Sequence, residues 1–284
     1  LNTDIVREAL TGVKPESYES DLQSVVRPPT LCAGCPHRGF FQAIKKKKGL
    51  MINGDIGCYT LGANAPLSAL DTAICMGASL SMAHGAAQAY KVAGAKTKAV
   101  GVLGDSTFFH SGITSLMDAV YNQSDSISVI LDNRITGMTG HQENPGTGFT
   151  LMGKPAPEVD IPALVKAVGI KEENIYTVNP LHLDEVDKVL DACIASEEPT
   201  VIITRWPCVL KKFSQQDLDE FKGLHQTQCH IIQDKCRNCK ACVRTGCPAL
   251  MSSKDDVVID VNSCVGCTVC KQVCPFDAIE EVQR

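Results

Sequence analysis

Apolar and polar positions fall into three regimes along the chain. Residues 1–28 are polar and run into Pro28-Pro29, which reads as an arm or linker. From 29 to 222, short continuous apolar runs recur at 98–103, 128–131 and 201–204, bounded by glycines and polar turns. Runs of that length read as buried strands. Stretches after Asp71 and after Gly112 carry helical spacing instead. The alternation predicts an α/β fold: a mostly parallel sheet with helices on both faces. Residues 211–228 are polar and read as a connecting helix. The remainder, 228–284, is a second, small α+β domain rich in cysteine. Two details refine this picture. Residues 45–48 are all lysine, expected at the solvated end of a helix. Gly77, Ser81 and Gly85 recur every four residues, a helical face suited either to internal packing or to a subunit contact.

Charge and cysteine content narrow the function classes. With 27 basic and 32 acidic residues among 284, the net charge is −5, so nothing favours a nucleic-acid partner. No apolar run approaches the ~18 residues of a membrane span, and the N-terminus lacks a signal-peptide layout, which reads as a cytoplasmic protein. The sequence starts at Leu1 without an initiator Met, as expected of a processed chain or part of a longer one. Of 15 cysteines, eight lie between Cys236 and Cys274. Such clustering in a long chain without a signal points to metal or redox chemistry rather than disulfides.

Two runs carry that chemistry: Cys236-x2-Cys239-x2-Cys242-x4-Cys247-Pro248 and Cys264-x2-Cys267-x2-Cys270-x3-Cys274-Pro275. Three thiolates from one loop plus a fourth from the other run make a [4Fe–4S] site. One cluster would take Cys236, Cys239, Cys242 and Cys274; the other Cys264, Cys267, Cys270 and Cys247. A pair of zinc sites is the competing reading, but zinc knots have no need of three evenly spaced cysteines twice over. The tail resembles two-[4Fe–4S] bacterial ferredoxin domains, with x4 in place of x3 in the first run, an extra residue expected to bulge one loop.

In the central region, Gly104-Asp105-Ser106 follows an apolar run and Asn133 lies some two dozen residues on. A carboxylate and an amide at the ends of neighbouring strands can hold a hard divalent ion and, through it, phosphate oxygens. Backbone N–H groups at the turn would take a diphosphate. The spacing resembles the thiamine diphosphate motif, Gly-Asp-Gly then Asn, with Ser106 replacing the second glycine. Ordinary strand-to-helix turns also contain Gly-Asp-Ser. Cys32-x2-Cys35, Cys58 and Cys208 are dispersed. On their own, a C-x-x-C pair is redox-active or zinc-binding and single cysteines are buried small hydrophobes. Cys75, Cys193 and Cys229 read as structural. His110 and His141 flank the cofactor motifs and are candidates for proton transfer or substrate orientation, the alternative being backbone hydrogen bonding. His37 either tunes the C-x-x-C pair or packs, and Trp206 reads as core near Cys208.

The stretches GDSTFFHSGITSLMDAVYN and LDNRITGMTGHQENPGTG, followed by the ferredoxin-like tail, resemble the alpha subunits of indolepyruvate enzymes within the 2-oxoacid:ferredoxin oxidoreductase family, over roughly residues 29–284. The resemblance implies a thiamine diphosphate-binding fold and Mg2+ held by Asp105, Asn133 and the Ile135 carbonyl. It places Gly104, Ser106 and Thr139-Gly140-His141-Gln142 along the cofactor. It also implies a third, proximal [4Fe–4S] cluster on Cys32, Cys35, Cys58 and Cys208. The implied reaction is oxidative decarboxylation of an aryl pyruvate with coenzyme A, electrons passing through the clusters to a soluble ferredoxin. It further implies a hetero-oligomer, because the pyrimidine-binding domain with its activating glutamate must come from upstream sequence or another chain, beside a further subunit. The isolated chain is then expected to be inactive. Two alternatives stand against this: a non-catalytic iron–sulfur carrier subunit that docks to a partner enzyme, and a non-oxidative decarboxylase, for which a ferredoxin tail has no use.

Overall fold

A computed structural model describes residues 2–16, 21–23, 25, 26 and 28–284; the remaining positions of the expected arm lie outside the described residues. Within that arm a helix forms, α1 (Thr3–Thr11), started by the Asn2 side chain, which accepts from the Ile5 N–H at 2.9 Å, and stopped by Gly12 in the left-handed region. It buries none of its residues.

The central layer then runs α2 (Arg38–Ile44), β1 (Leu50–Gly54), β2 (Thr72–Ala73), α3 (Ala78–Ala93), β3 (Lys98–Gly104), α4 (Asp105–Thr107), a π-helical turn (Phe108–Gly112), α5 (Ile113–Tyr121), β4 (Ile127–Asp132), α6 (Ile161–Ala167), β5 (Ile175–Val178), α7 (Leu183–Ala195) and β6 (Thr200–Arg205). The six strands form one parallel sheet in the order β2-β1-β3-β4-β6-β5. The apolar runs are continuous because the sheet is covered on both faces. Val100, Val102, Val129, Leu131 and Ile202 pack beneath α2 and α7. Leu103, Ile130, Val201 and Ile203 pack on the other face against α3, α5 and α6. Each such side chain contributes about 1.5–3 kcal/mol by leaving water.

The glycine stripe is an inward face only at Gly77, while Ser81 and Gly85 are exposed. A Cβ on Gly77 would stand 2.2 Å from the Ser111 hydroxyl, and Ser81 donates to Ser115 at 2.7 Å, whereas Gly85 meets nothing within 4 Å. The lysine run starts just past the end of α2, and two members are anchored: Lys45 donates to the Pro66 and Arg244 carbonyls at 3.3 and 3.4 Å, and Lys47 pairs with Asp187 and Asp191 of α7 at 3.2 and 2.7 Å.

The expected connecting helix is shorter than its polar stretch. Only α8 (Gln215–Glu220) forms, boxed at its start by Ser214 and Asp217, and Gly223 in the left-handed region lies beyond its end. Residues 227 and 228 already belong to β7 (Thr227–Ile231), which pairs antiparallel with β10 (Ile279–Gln283). A hairpin, β8 (Leu250–Ser252) with β9 (Val257–Ile259), and the short α9 (Val269–Gln272) complete the cysteine-rich part. This part sits directly on the loop before α2. Gly34 lies so close to Val265 that an added Cβ would come within 2.1 Å of it, and Gln272 exchanges hydrogen bonds with the Leu183 N–H (3.0 Å) and Leu181 carbonyl (2.7 Å). No helix among the described residues is long and apolar enough to cross a membrane.

Candidate active site

A cavity of about 660 Å³ opens above the carboxyl ends of β1, β3 and β4. The strand order reverses between β1 and β3, where parallel α/β sheets place their ligands. One wall is Gly104, Asp105, Ser106 and Thr107, leaving β3; another is Asn133 and 135–139, following β4; the third is 55–59, following β1.

Asp105 is 2% exposed, and its Oδ2 accepts from the Asn144 amide at 2.8 Å. Burial, reinforced by the nearby Asp132 charge, drives its pKa upward. Such a carboxylate calls for a cation. The Asn133 amide oxygen, which also accepts from the Ile135 N–H at 3.2 Å, lines the same cavity as Ile135 itself. Carboxylate, amide and carbonyl oxygens are a hard donor set that suits Mg2+. The loop that carries them is braced by Arg134, left-handed at φ +61° and 1% exposed, which bonds the Gly146 carbonyl and pairs with Glu158 at 2.6 Å.

Cys58 lines this cavity too. Cys32, Cys35, Cys58 and Cys208 lie close enough to influence one another. Burial raises the Cys58 and Cys208 thiols, with neighbouring thiols adding to it. Burial pushes Cys35 up to about 12, the Arg38 charge opposing it and Cys208 and Cys32 reinforcing it. His37 is fully buried between the Tyr59 hydroxyl (2.9 Å) and the Thr204 carbonyl (3.0 Å), and burial lowers its pKa to about 4, so it locks the Cys58 loop to β6 as a neutral ring.

The tail cysteines surround two further cavities. One of about 320 Å³ is lined by Cys236, Cys239, Cys242 and Cys274. The other, about 370 Å³, is lined by Cys264, Cys267, Cys270 and Cys247. Each draws three thiols from one run and the last from the other, the crossed arrangement expected for cubanes. The additional residue before Cys247 is taken up by a 3-10 turn, Val243–Thr245, closed by Gly246 at φ +74°. Among the described residues, no three His, Cys, Asp or Glu side chains are arranged to hold a single metal ion. Zinc draws its ligands to about 2.3 Å from one point, whereas each thiolate of a cubane binds its own iron.

Several predicted residues lie elsewhere. Thr139 lines the large cavity, but Gly140, Gln142 and both histidines do not. Gln142 bonds back to Thr139, at 2.5 Å from its hydroxyl and 2.7 Å from its carbonyl. His110 is exposed and bonds the Ser111 hydroxyl at 2.9 Å. His141 is exposed at φ +62°, its Nε2 3.7 Å from the Cys208 Sγ. Trp206 is half-buried and stacks edge-on to Phe221 at 5.4 Å. Cys193 is core and Cys75 exposed, but Cys229, read as structural, lines the 370 Å³ cavity and donates its N–H to the Cys264 Sγ at 3.2 Å.

Asp55 was missed. It is 2% exposed, lines the large cavity, accepts from the Gly77 N–H through Oδ1 at 2.7 Å and leaves Oδ2 buried without a partner. The signal was present: Gly54-Asp55 ends its strand as Gly104-Asp105 ends the next but one in sequence.

Fold and site together define a thiamine diphosphate-binding layer. Residues 55–204 match the family described as "Thiamine pyrophosphate enzyme, C-terminal TPP binding domain", and the chain belongs to it. Residues 257–280 match a 4Fe-4S binding domain. The chain is 39% identical over 274 residues to "Indolepyruvate oxidoreductase subunit IorA" of Archaeoglobus fulgidus, which covers 95% of this chain and 42% of the relative. It is 39% identical over 286 residues to the protein of the same name from Thermococcus kodakarensis, covering 95% and 43%. The chain thus spans about two-fifths of the length of these relatives. Among solved structures, a 2-oxoglutarate:ferredoxin oxidoreductase from Magnetococcus marinus shares the fold at a TM-score of 0.57 and 16% identity, over 72% of this chain and 71% of that one.

Proposed function

We propose that this chain is the cofactor-binding and electron-transfer part of an indolepyruvate:ferredoxin oxidoreductase. One observation carries the reading: Cys58 belongs both to the wall of the large cavity and to the group of four neighbouring cysteines. A cavity for an organic cofactor thus shares a wall with a set of thiols suited to an iron–sulfur cluster, as a reaction that hands over single electrons requires.

In that reaction the bond between C1 and C2 of a 2-oxoacid breaks to release carbon dioxide. The acyl carbon gives up two electrons, one to each of two ferredoxins, and coenzyme A takes the acyl group as its thiol loses a proton. Bound thiamine diphosphate supplies the electron sink for the decarboxylation, and the clusters supply one-electron steps. Asp105, Asn133 and the Ile135 carbonyl would hold Mg2+, and the backbone of 104–106 would border the diphosphate. Cys32, Cys35, Cys58 and Cys208 would hold the proximal cluster. The contact of Gly34 with Val265 supports a route from there to the Cys264 set and then to the Cys236 set. The M. marinus structure has coenzyme A and a 2-oxoacid bound, and the two archaeal relatives carry the indolepyruvate name. These support coenzyme A and aryl pyruvates as reactants. A pyrimidine-activating glutamate, a further subunit and a soluble ferredoxin complete the enzyme.

Asp105→Ala tests the reading. Calorimetry should find Mg2+-dependent thiamine diphosphate binding weakened at least 100-fold, with iron per chain unchanged. Undiminished binding in the variant refutes the cofactor site and leaves the carrier-subunit alternative.

A further inference from the structure

Arg38 is 1% exposed, and among the described residues it has no carboxylate partner. A guanidinium buried without a counter-charge is costly, so its charge should answer another. Its hydrogen bonds reach only carbonyls. Nη2 donates to Leu31 (2.6 Å) and Cys32 (2.9 Å), in the loop of the first C-x-x-C pair. Nη1 donates to Thr245 (2.9 Å), two residues before Cys247, and Nε has no partner. The side chain lines the 370 Å³ cavity of the Cys264 set and acts electrostatically on Cys35. It contributes nothing to the 320 Å³ cavity of the Cys236 set.

We propose that Arg38 is the shared counter-charge of two neighbouring clusters, the proximal one and the one on Cys264, Cys267, Cys270 and Cys247, and that it raises the reduction potential of both. This rests on the functional reading above. A cluster gains negative charge on reduction, and a fixed cation beside it in a dry setting stabilises the reduced form. The Cys236 cluster, whose cavity Arg38 does not line, is set by other groups. Arg38 is therefore a positioning residue for electrons.

The test is anaerobic redox titration of the loaded protein followed by electron paramagnetic resonance. In Arg38→Met the proximal and Cys264-set potentials should both shift negative and the Cys236-set potential should stay in place. Arg38→Lys should restore part of the shift. Because Arg38 also ties the tail to the central layer, Gln42→Glu provides a second variant. Gln42 lies one helical turn along α2 and is 4% exposed, so a carboxylate there should offset the Arg38 charge while leaving all three Arg38 hydrogen bonds in place, losing only the bond the Gln42 amide donates to the Arg244 carbonyl at 3.2 Å. The same two potentials should again move negative. Unchanged potentials in Gln42→Glu, or equal shifts of all three clusters in either variant, overturn the proposal. Wild-type protein that binds no clusters would instead refute the functional reading itself.

Discussion

At the scale of single residues, the site is governed by buried acids. Asp55 and Asp105 follow neighbouring strands of the sheet and line two walls of one cavity. Burial raises the pKa of Asp55, the Gly77 N–H partly offsetting it. The unfolded chain thus releases this proton at lower pH than the fold does, and above the ordinary carboxylate range the folded state binds more protons. Stability contributed at this position is therefore lost as pH rises through Asp55's elevated range. Asp55→Asn keeps an oxygen for Gly77 and removes the charge. In cofactor-free protein it should raise the melting temperature at neutral pH and leave it unchanged at acid pH. A melting curve that shifts equally at both would sink this account. Asp105 was legible in the sequence because a known motif frames it. Asp55 carried the same Gly-Asp signal at the end of its strand, but without a motif around it that signal gains meaning only when the topology sets β1 beside β3.

At the scale of elements, the apolar runs at 98–103, 128–131 and 201–204 are β3, β4 and β6, each a residue or two longer at its ends. Continuous apolar strands are the strongest local signal of a doubly covered sheet, and here they were sufficient. The weaker strands were not legible: β2 is two residues long, and β5 lies at the sheet edge with mixed burial. The helix over 211–228 was overread, since polar composition alone does not distinguish a helix from a capped turn followed by a strand. One close contact fixes how α3 sits on the sheet. A Cβ at Gly101 in β3 would stand 2.7 Å from the Ser79 carbonyl and 2.9 Å from the Leu80 Cα. Backbone does not yield as a side chain end does, so Gly101→Ala should cost about 2–3 kcal/mol in urea unfolding. Since α3 starts at the Gly77 that Asp55 grips, the substitution should also loosen cofactor binding. A neutral effect on stability would mean that α3 glides over β3.

For the molecule as a whole, the crossed wiring of the two tail cavities was legible because it follows from loop length alone. The proximal set rests on family likeness: Cys32, Cys35, Cys58 and Cys208 come from three distant segments, and no spacing rule joins them. Iron counting checks it. The loaded protein should carry about twelve irons per chain and Cys58→Ala about eight, with the two tail clusters intact. A variant that keeps the full complement removes Cys58 from the ligands, and one that loses all iron denies that the clusters assemble independently.

The bond from Arg38 to the Thr245 carbonyl spans 207 positions. At ribosomal speeds of about 5–20 residues per second, its two ends are made roughly 10–40 s apart. During that interval the first C-x-x-C loop has emerged without the surface that later covers it. Nascent chains therefore carry the Cys32 and Cys35 thiols through a window open to oxygen before the tail exists to pack on their loop.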